Sequence, residues 1–243
     1  GYDAFMVADM ARDHGGPVLH LARDDRRAAA MADALAFVAG DIPILKFPAW
    51  DCTPYDRVSP NAEVSAQRMA TLAALADGFD RSAIVLATVN GATLRTPTRT
   101  AVGAGSFTAL VGERVDIEGL TEFLVRSGFN RATTVMEPGD FALRGGIIDI
   151  FPPGAETPVR LDFFGDVLDG ARRFEVESQR TVERISRVEL APASEAPLDP
   201  DAIARFRTRY RETFGAAGLD DPLYEAVSAG RKHQGMEHWA PLF

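Results

Sequence analysis

From Asp3 to Thr88 the chain alternates between helical spacing and short apolar runs, and this alternation restricts its fold more than any other feature. Asp3–Asp13 carries Phe5, Ala8 and Met10 at helical spacing and ends at Gly15-Gly16. Pro17–Ala22 reads as a short apolar strand, the alanine-rich Asp24–Ala39 as a helix and Pro43–Phe47 as a second strand. Asn61 caps a helix running to about Asp77, and Ser82–Thr88, with Ile84, Val85 and Leu86, reads as a buried strand. Strands separated by helices have to be parallel and covered, so an α/β fold is expected.

After Thr88 the texture changes. Thr96-Pro97-Thr98 and Gly103-Ala104-Gly105 are turn-rich and mark a break. Beyond Phe107 come a strand, a helix near Asp116–Ser127 and β-type runs at Ala132–Met136, Phe141–Arg144, Gly146–Phe151, Val159–Phe164 and Arg172–Val176. That composition describes a compact α+β unit. Ala191-Pro192 and Pro197–Pro200 close it, and helices are expected near Pro200–Phe214 and Pro222–Ala229.

Within Val159–Phe164 strict alternation puts Val159, Leu161 and Phe163 on one face and Arg160, Asp162 and Phe164 on the other. With the first face in the core, the second displays an arginine and a phenylalanine roughly 13 Å apart. Arg144, just before Gly145-Gly146, faces outward if Phe141 and Leu143 face in. An outward aromatic beside arginines fits a surface for another protein. The competing reading pairs Arg144 with Asp162 and lays Phe164 over a neighbouring helix.

Other chemistries find less support. The formal net charge is −9, against the basic balance usual for a duplex-DNA binder. Arg172, Arg173, Arg180, Arg184 and Arg187 are the footprint such a module would use. The first strand is followed by Arg23-Asp24-Asp25-Arg26, GxxxxGK[ST] does not occur, and no Asp-Glu pair offers a magnesium box. Two aspartates at the phosphate position would repel a nucleotide, so neither a cofactor nor a catalytic site is expected. His233 and His238 fit no ordinary zinc spacing, and no metal site is expected. The acids Asp162, Asp166 and Asp169 read as a solvated face. The single cysteine, Cys52, permits no internal disulfide and fits a reducing, cytoplasmic setting, with no membrane-spanning run. Gly1 and the abrupt apolar end at Phe243 read as the limits of a fragment of a longer protein.

Three segments also carry a resemblance. GDFALRGGIIDIFPPGAETPVRLDFFGDVLDGARRFEVESQRT (Gly139–Thr181) resembles the second domain of bacterial transcription-repair coupling factors and of their relative, the excision-repair protein UvrB. FPAWDCTPYDRVSP (Phe47–Pro60) is similar to the linker after the second strand of the coupling factors' first domain, and GMEHWAPLF (Gly235–Phe243) to the end of their UvrB-like module. The resemblance implies a parallel-sheet scaffold like a nucleotide-free P-loop/UvrB domain 1, with an inserted α+β domain and a helical closing segment. It divides the chain into domain 1a (1–102), domain 2 (103–193) and domain 1b (194–243). UvrB's tyrosine-rich hairpin is replaced by Tyr55, Asp56 and Arg57 before Ser59-Pro60-Asn61.

By the same resemblance, Arg144, Arg160 and Phe164 match positions that contact the repair ATPase UvrA. The implied role is non-catalytic recruitment of UvrA to a stalled RNA polymerase. ATP, magnesium, polymerase and DNA would be handled by parts of the parent absent here, and the parent's own C-terminal domain would mask the UvrA surface. The alternatives are a nucleotide-dependent hydrolase or a DNA-binding module on the same fold.

Overall fold

A computed structural model describes residues 1–243 except Asp80, Ala216, Ala217, Leu219 and the side chain of Ala104. The first part runs α1 (Tyr2–His14), β1 (Pro17–Ala22), α2 (Asp25–Val38), β2 (Ile44–Phe47), α3 (Ala62–Asp77) and β3 (Ala83–Thr88). The three strands form a parallel sheet in the order β1-β3-β2. The central strand, β3, is buried at all six positions, as an apolar run between two neighbours and two helical layers has to be. Ile84, Val18 and Ile44 pack against α1 and α2 on one face. Val85, Ala87, Leu45 and Phe47 pack against Leu72 and Leu75 of α3 on the other. Asp24 and Asn61 cap α2 and α3, accepting from the amides of Arg27 and Glu63.

Two short helices, α4 (Val89–Thr93) and α5 (Arg99–Ala104), lead out of this layer. The second corrects the expectation of a purely turn-rich break, because Thr98 caps it through the amide of Ala101.

The middle unit runs β4 (Phe107–Leu110), α6 (Ile117–Arg126), β5 (Asn130–Arg131), β6 (Asp140–Arg144), β7 (Ile147–Ile150), β8 (Val159–Phe164), β9 (Val167–Phe174), β10 (Thr181–Ile185) and β11 (Arg187–Leu190). Six of these strands form one sheet, β10-β9-β8-β7-β6-β5, antiparallel except at β5–β6. β4 and β11 pair antiparallel and bring the two ends of the unit together. Leu120, Phe123 and Leu124 of α6, at i, i+3 and i+4, bury against Phe141, Ile148, Ile150, Val159, Leu161 and Leu168 of the sheet.

The run Ala132–Met136 is not a strand. The Asp140 carboxylate accepts from the amides of Met136 and Glu137 and folds that segment back over the sheet. Val135 is thereby buried with Ala142 and Phe151.

The closing part is helical: α7 (Pro200–Phe214), α8 (Pro222–Ser228) and a 3₁₀ turn at Met236–Leu242. Phe206, Tyr210, Tyr224, Met236 and Phe243 form its core. This part returns to the first. Ser59 Oγ donates to Glu237 Oε2 at 2.7 Å and accepts from the amide of Gly235 at 2.9 Å. His238 sits edge-on to Trp50 with ring centroids 5.3 Å apart. Two of the three motif segments, some 180 residues apart, therefore meet in space.

Beside them Arg68 of α3, fully buried, donates from Nε and Nη2 to the carboxylate of Glu195 at 2.5 and 3.0 Å. Its Nη1 donates to Pro48 O, Trp50 Nε1 donates to Glu195 Oε1, and the Phe47 ring lies 4.1 Å from Cζ. A buried ion pair of this kind contributes little net stability when intact, but breaking it strands a charge. Glu195→Ala is expected to lower unfolding stability by about 3–5 kcal/mol in a denaturant titration. A loss no larger than that of an exposed substitution would show that the pair holds nothing together.

Candidate functional site

The site lies at one end of the six-stranded sheet. β6 and β7 are joined by Gly145-Gly146 and β8 and β9 by Gly165-Asp166, both two-residue hairpins. Gly145 and Gly165 stand at φ 59° and 63°, which tight hairpin turns require and side chains resist. Consecutive antiparallel strands place both turns at the same end. The Phe163 amide donates to Gly146 O at 2.8 Å and ties them together.

Alternation along β8 holds as the sequence predicts. Val159 and Leu161 are buried and Phe163 packs on the same core, while Arg160, Asp162 and Phe164 take the other face. An irregularity in the β8–β9 register, near Asp162–Phe163, leaves this alternation intact. The register puts Ala142 and Arg144 of β6, Ile147 and Asp149 of β7, and Arg172 of β9 on that second face too.

The second face is graded. At its far end it is apolar and covered by Val135 and Val176. In the middle it carries charge, and at the hairpin end it opens to solvent. Phe164 is 82% exposed and covers no helix. Arg144 is half exposed, with its side chain at 50%, and its partner is Asp149 rather than Asp162; Nη2 donates to Asp149 Oδ2 at 2.5 Å. Asp162 is taken by Arg172 instead.

Arg160 departs from expectation. Its side chain is only 15% exposed, so it is not an open part of the patch. Nε and Nη2 grip both Asp149 oxygens at 2.6 and 2.8 Å, Nη2 also donates to Gln179 Oε1 at 2.8 Å, and the Phe174 ring lies 4.4 Å from Cζ. The Asp149 hydrogen bond, outweighing burial, raises the Arg160 pKa above its already high ordinary value. The structure therefore brings Arg144 and Phe164 to one open end and sets Arg160 behind them.

Asp149, only 1% exposed, is the residue that sequence reasoning passed over. The signal was an acid inside the apolar run Ile147-Ile148-Asp149-Ile150, on the face shared with two arginines.

The place after β1 where a phosphate loop would lie is also defined. The Asp24 carboxylate accepts from the Arg27 amide at the start of α2. That bond, and then Arg23, hold its carboxyl below the usual carboxylate range, so it is ionised at neutral pH. Cys52 lies 3.7 Å from His238 Nε2, and burial followed by Asp51, Glu237 and Asp56 pushes its thiol pKa up. It is protonated at neutral pH, as suits a packed residue. Among the described residues no helix is long and apolar enough to cross a membrane.

An α+β unit whose hairpin tips present an aromatic and an arginine is an interaction module in form. Residues 108–195 match the family model of the UvrB interaction domain. The chain as a whole is similar to transcription-repair-coupling factors. It is 34% identical over 240 residues to that of Escherichia coli K12, covering 99% of this chain and 21% of the relative. It is 32% identical over 244 residues to that of Haemophilus influenzae, covering 100% and 21%. It is 34% identical over 247 residues to that of Myxococcus xanthus, covering 96% and 20%. The chain belongs to the transcription-repair-coupling-factor family and spans about a fifth of the length of these relatives.

The site's geometry gives an ordering of stabilities. Leu161→Ala, in the core, is expected to cost about 2–5 kcal/mol. Arg160→Ala should cost about 1–3 kcal/mol by leaving a buried carboxylate short of partners. Phe164→Ala should change stability by no more than about 0.5 kcal/mol. Thermal or denaturant melts check this, and a Phe164→Ala loss equal to that of Leu161→Ala would invert the faces.

Proposed function

We propose that this chain is a recruitment module that docks UvrA, and that Phe164 and Arg144 at the paired hairpin tips form the contact, with Arg160 behind them. The observation that carries the reading is the large exposed aromatic of Phe164, held next to a two-residue glycine turn at the same end of the sheet as a half-exposed arginine, within the stretch that matches the UvrB interaction domain. Buried aromatics and arginines dominate binding energies at protein interfaces. An exposed one on a preorganised hairpin gives up little conformational entropy on docking. The role fits the start of excision repair at a stalled RNA polymerase, in the cytoplasm. Polymerase binding, DNA translocation, ATP, magnesium and the masking C-terminal domain belong, on this reading, to other parts of a longer parent. The domain limits 1–102, 103–193 and 194–243 are part of the same proposal.

A binding isotherm with UvrA tests it. Phe164→Ala and Arg144→Ala are each expected to weaken binding at least tenfold, about 1.4 kcal/mol or more, without unfolding the chain. Normal binding by both variants would remove the site.

The rival readings predict other ligands. We read the parallel sheet as a nucleotide-free relative of a P-loop domain, supported by the ionised Asp24 at the start of α2. Calorimetric titration with ATP and magnesium is expected to show no stoichiometric site, and a micromolar one would reverse this. Of the arginines that a DNA reading would use, Arg172 pairs with Asp162, Arg173 with Glu183 and Arg187 with Glu189. With a formal net charge of −9, only weak, salt-sensitive DNA binding is expected in gel shifts at near-physiological salt. A sub-micromolar, lesion-selective complex would favour the DNA module.

A further inference from the structure

We infer that Asp149 is a positioning residue of the docking surface: with Arg160 it fixes the Arg144 guanidinium at the hairpin tip, so that Arg144 is the cation that meets carboxylates of the partner. This deepens the docking reading above and rests on it.

The hydrogen-bond inventory assigns the roles. Asp149 sits in the middle of the sheet and is almost wholly buried. Its Oδ1 accepts one bond, from Arg160 Nε, and its Oδ2 accepts two, from Arg160 Nη2 and Arg144 Nη2. Arg160 is therefore committed on one whole edge to Asp149, on Nη2 again to Gln179, and on its flat face to Phe174. Such a guanidinium is a structural cation with little edge left for a partner.

Arg144 differs. Among the described residues only its Nη2 is bonded, and half of its side chain reaches solvent at the tip. Nη2 keeps a second hydrogen, and together with Nη1 or Nε it leaves one two-pronged edge that suits a carboxylate on an opposing surface. Asp162 is held by Arg172 and the turn acid Asp166 by Arg114, while Arg144 and Arg160 share the one charge of Asp149, so that group carries one positive charge in excess at the Phe164 end of the sheet. Electrostatic complementarity then asks for an acidic partner surface with an apolar recess for the phenyl ring. Asp149 matters because a long arginine side chain at a hairpin end would otherwise sample many rotamers, and ordering it would weaken binding.

The test uses the whole chain titrated with UvrA, with a melt for each variant. Asp149→Asn keeps shape and removes charge. It is expected to melt at a lower temperature, remain folded under the binding conditions and bind at least tenfold more weakly. Added to Arg144→Ala, Asp149→Asn should weaken binding no more than twofold further, because its effect passes through Arg144. Binding within twofold of wild type by folded Asp149→Asn would overturn the inference, as would effects that multiply in the double variant.

A second pair stays informative even where Asp149→Asn does not fold. Arg160→Lys keeps a cation beside Asp149 and is expected to bind within threefold of wild type, whereas Arg144→Lys, which lacks the planar fork, should lose at least fivefold. Equal loss from Arg160→Lys and Arg160→Ala would mean that Arg160 touches the partner directly, and the inference would fall. Phe164→Ala separates the two levels. If it and Arg144→Ala both bind normally, the docking reading itself fails. If both lose binding while Asp149→Asn and Arg160→Ala bind normally, only the positioning role fails.

Discussion

A carboxylate buried in the middle of a sheet has to be neutralised where it stands, and Asp149 sets the character of the whole second face of the middle unit. The first face of that sheet is ordinary, with aliphatic and aromatic side chains closed over by α6. On the second face an ionised group in a low-dielectric setting is tolerated only with its lone pairs satisfied and its charge matched. Arg160 and Arg144 supply both. The arginines that look like interface residues in sequence are thus first of all the counter-charges of one buried acid. The exposed end of the face inherits their order.

The same device recurs at larger scale. Arg68 and Glu195 bury a second ion pair, between α3 of the scaffold and the segment that leaves the middle unit. Trp50 and the carbonyl of Pro48 complete its hydrogen bonds. Burying an ion pair instead of apolar side chains gains little stability, but it fixes geometry, because a displaced partner leaves an unpaired charge. One such pair orders a surface and the other ties the unit bearing that surface to the scaffold.

Much of this was legible in the sequence. The α/β alternation, the cap at Asn61, the Pro200–Phe214 helix and the two faces of β8 all follow from periodicity and local chemistry. What was not legible depended on pairings that composition does not show. β11 exists because β4 stands beside it, 80 residues away in sequence. Ala132–Met136 has strand-like composition but yields to the side chain of Asp140. Arg160 sits on the predicted face, yet alternation says only which way a side chain leaves the backbone. Whether it meets water or a buried acid on the next strand was decided by the β7–β8 register, which brings Asp149 opposite it. Phe164 lies two residues past the last residue paired with β7, and so it remains open.

On the docking proposal a short stretch of surface, the two hairpin tips, meets the partner, and the rest of the fold holds those tips in place. Backbone hydrogen exchange measured with and without saturating UvrA reads that surface without altering it. The expected result is slowed exchange of the amides at 144–147 and 164–167, with β1 amides at 18–22 exchanging as in the free chain. Unchanged tips, with protection confined to the parallel-sheet scaffold or the closing helices, would contradict the account.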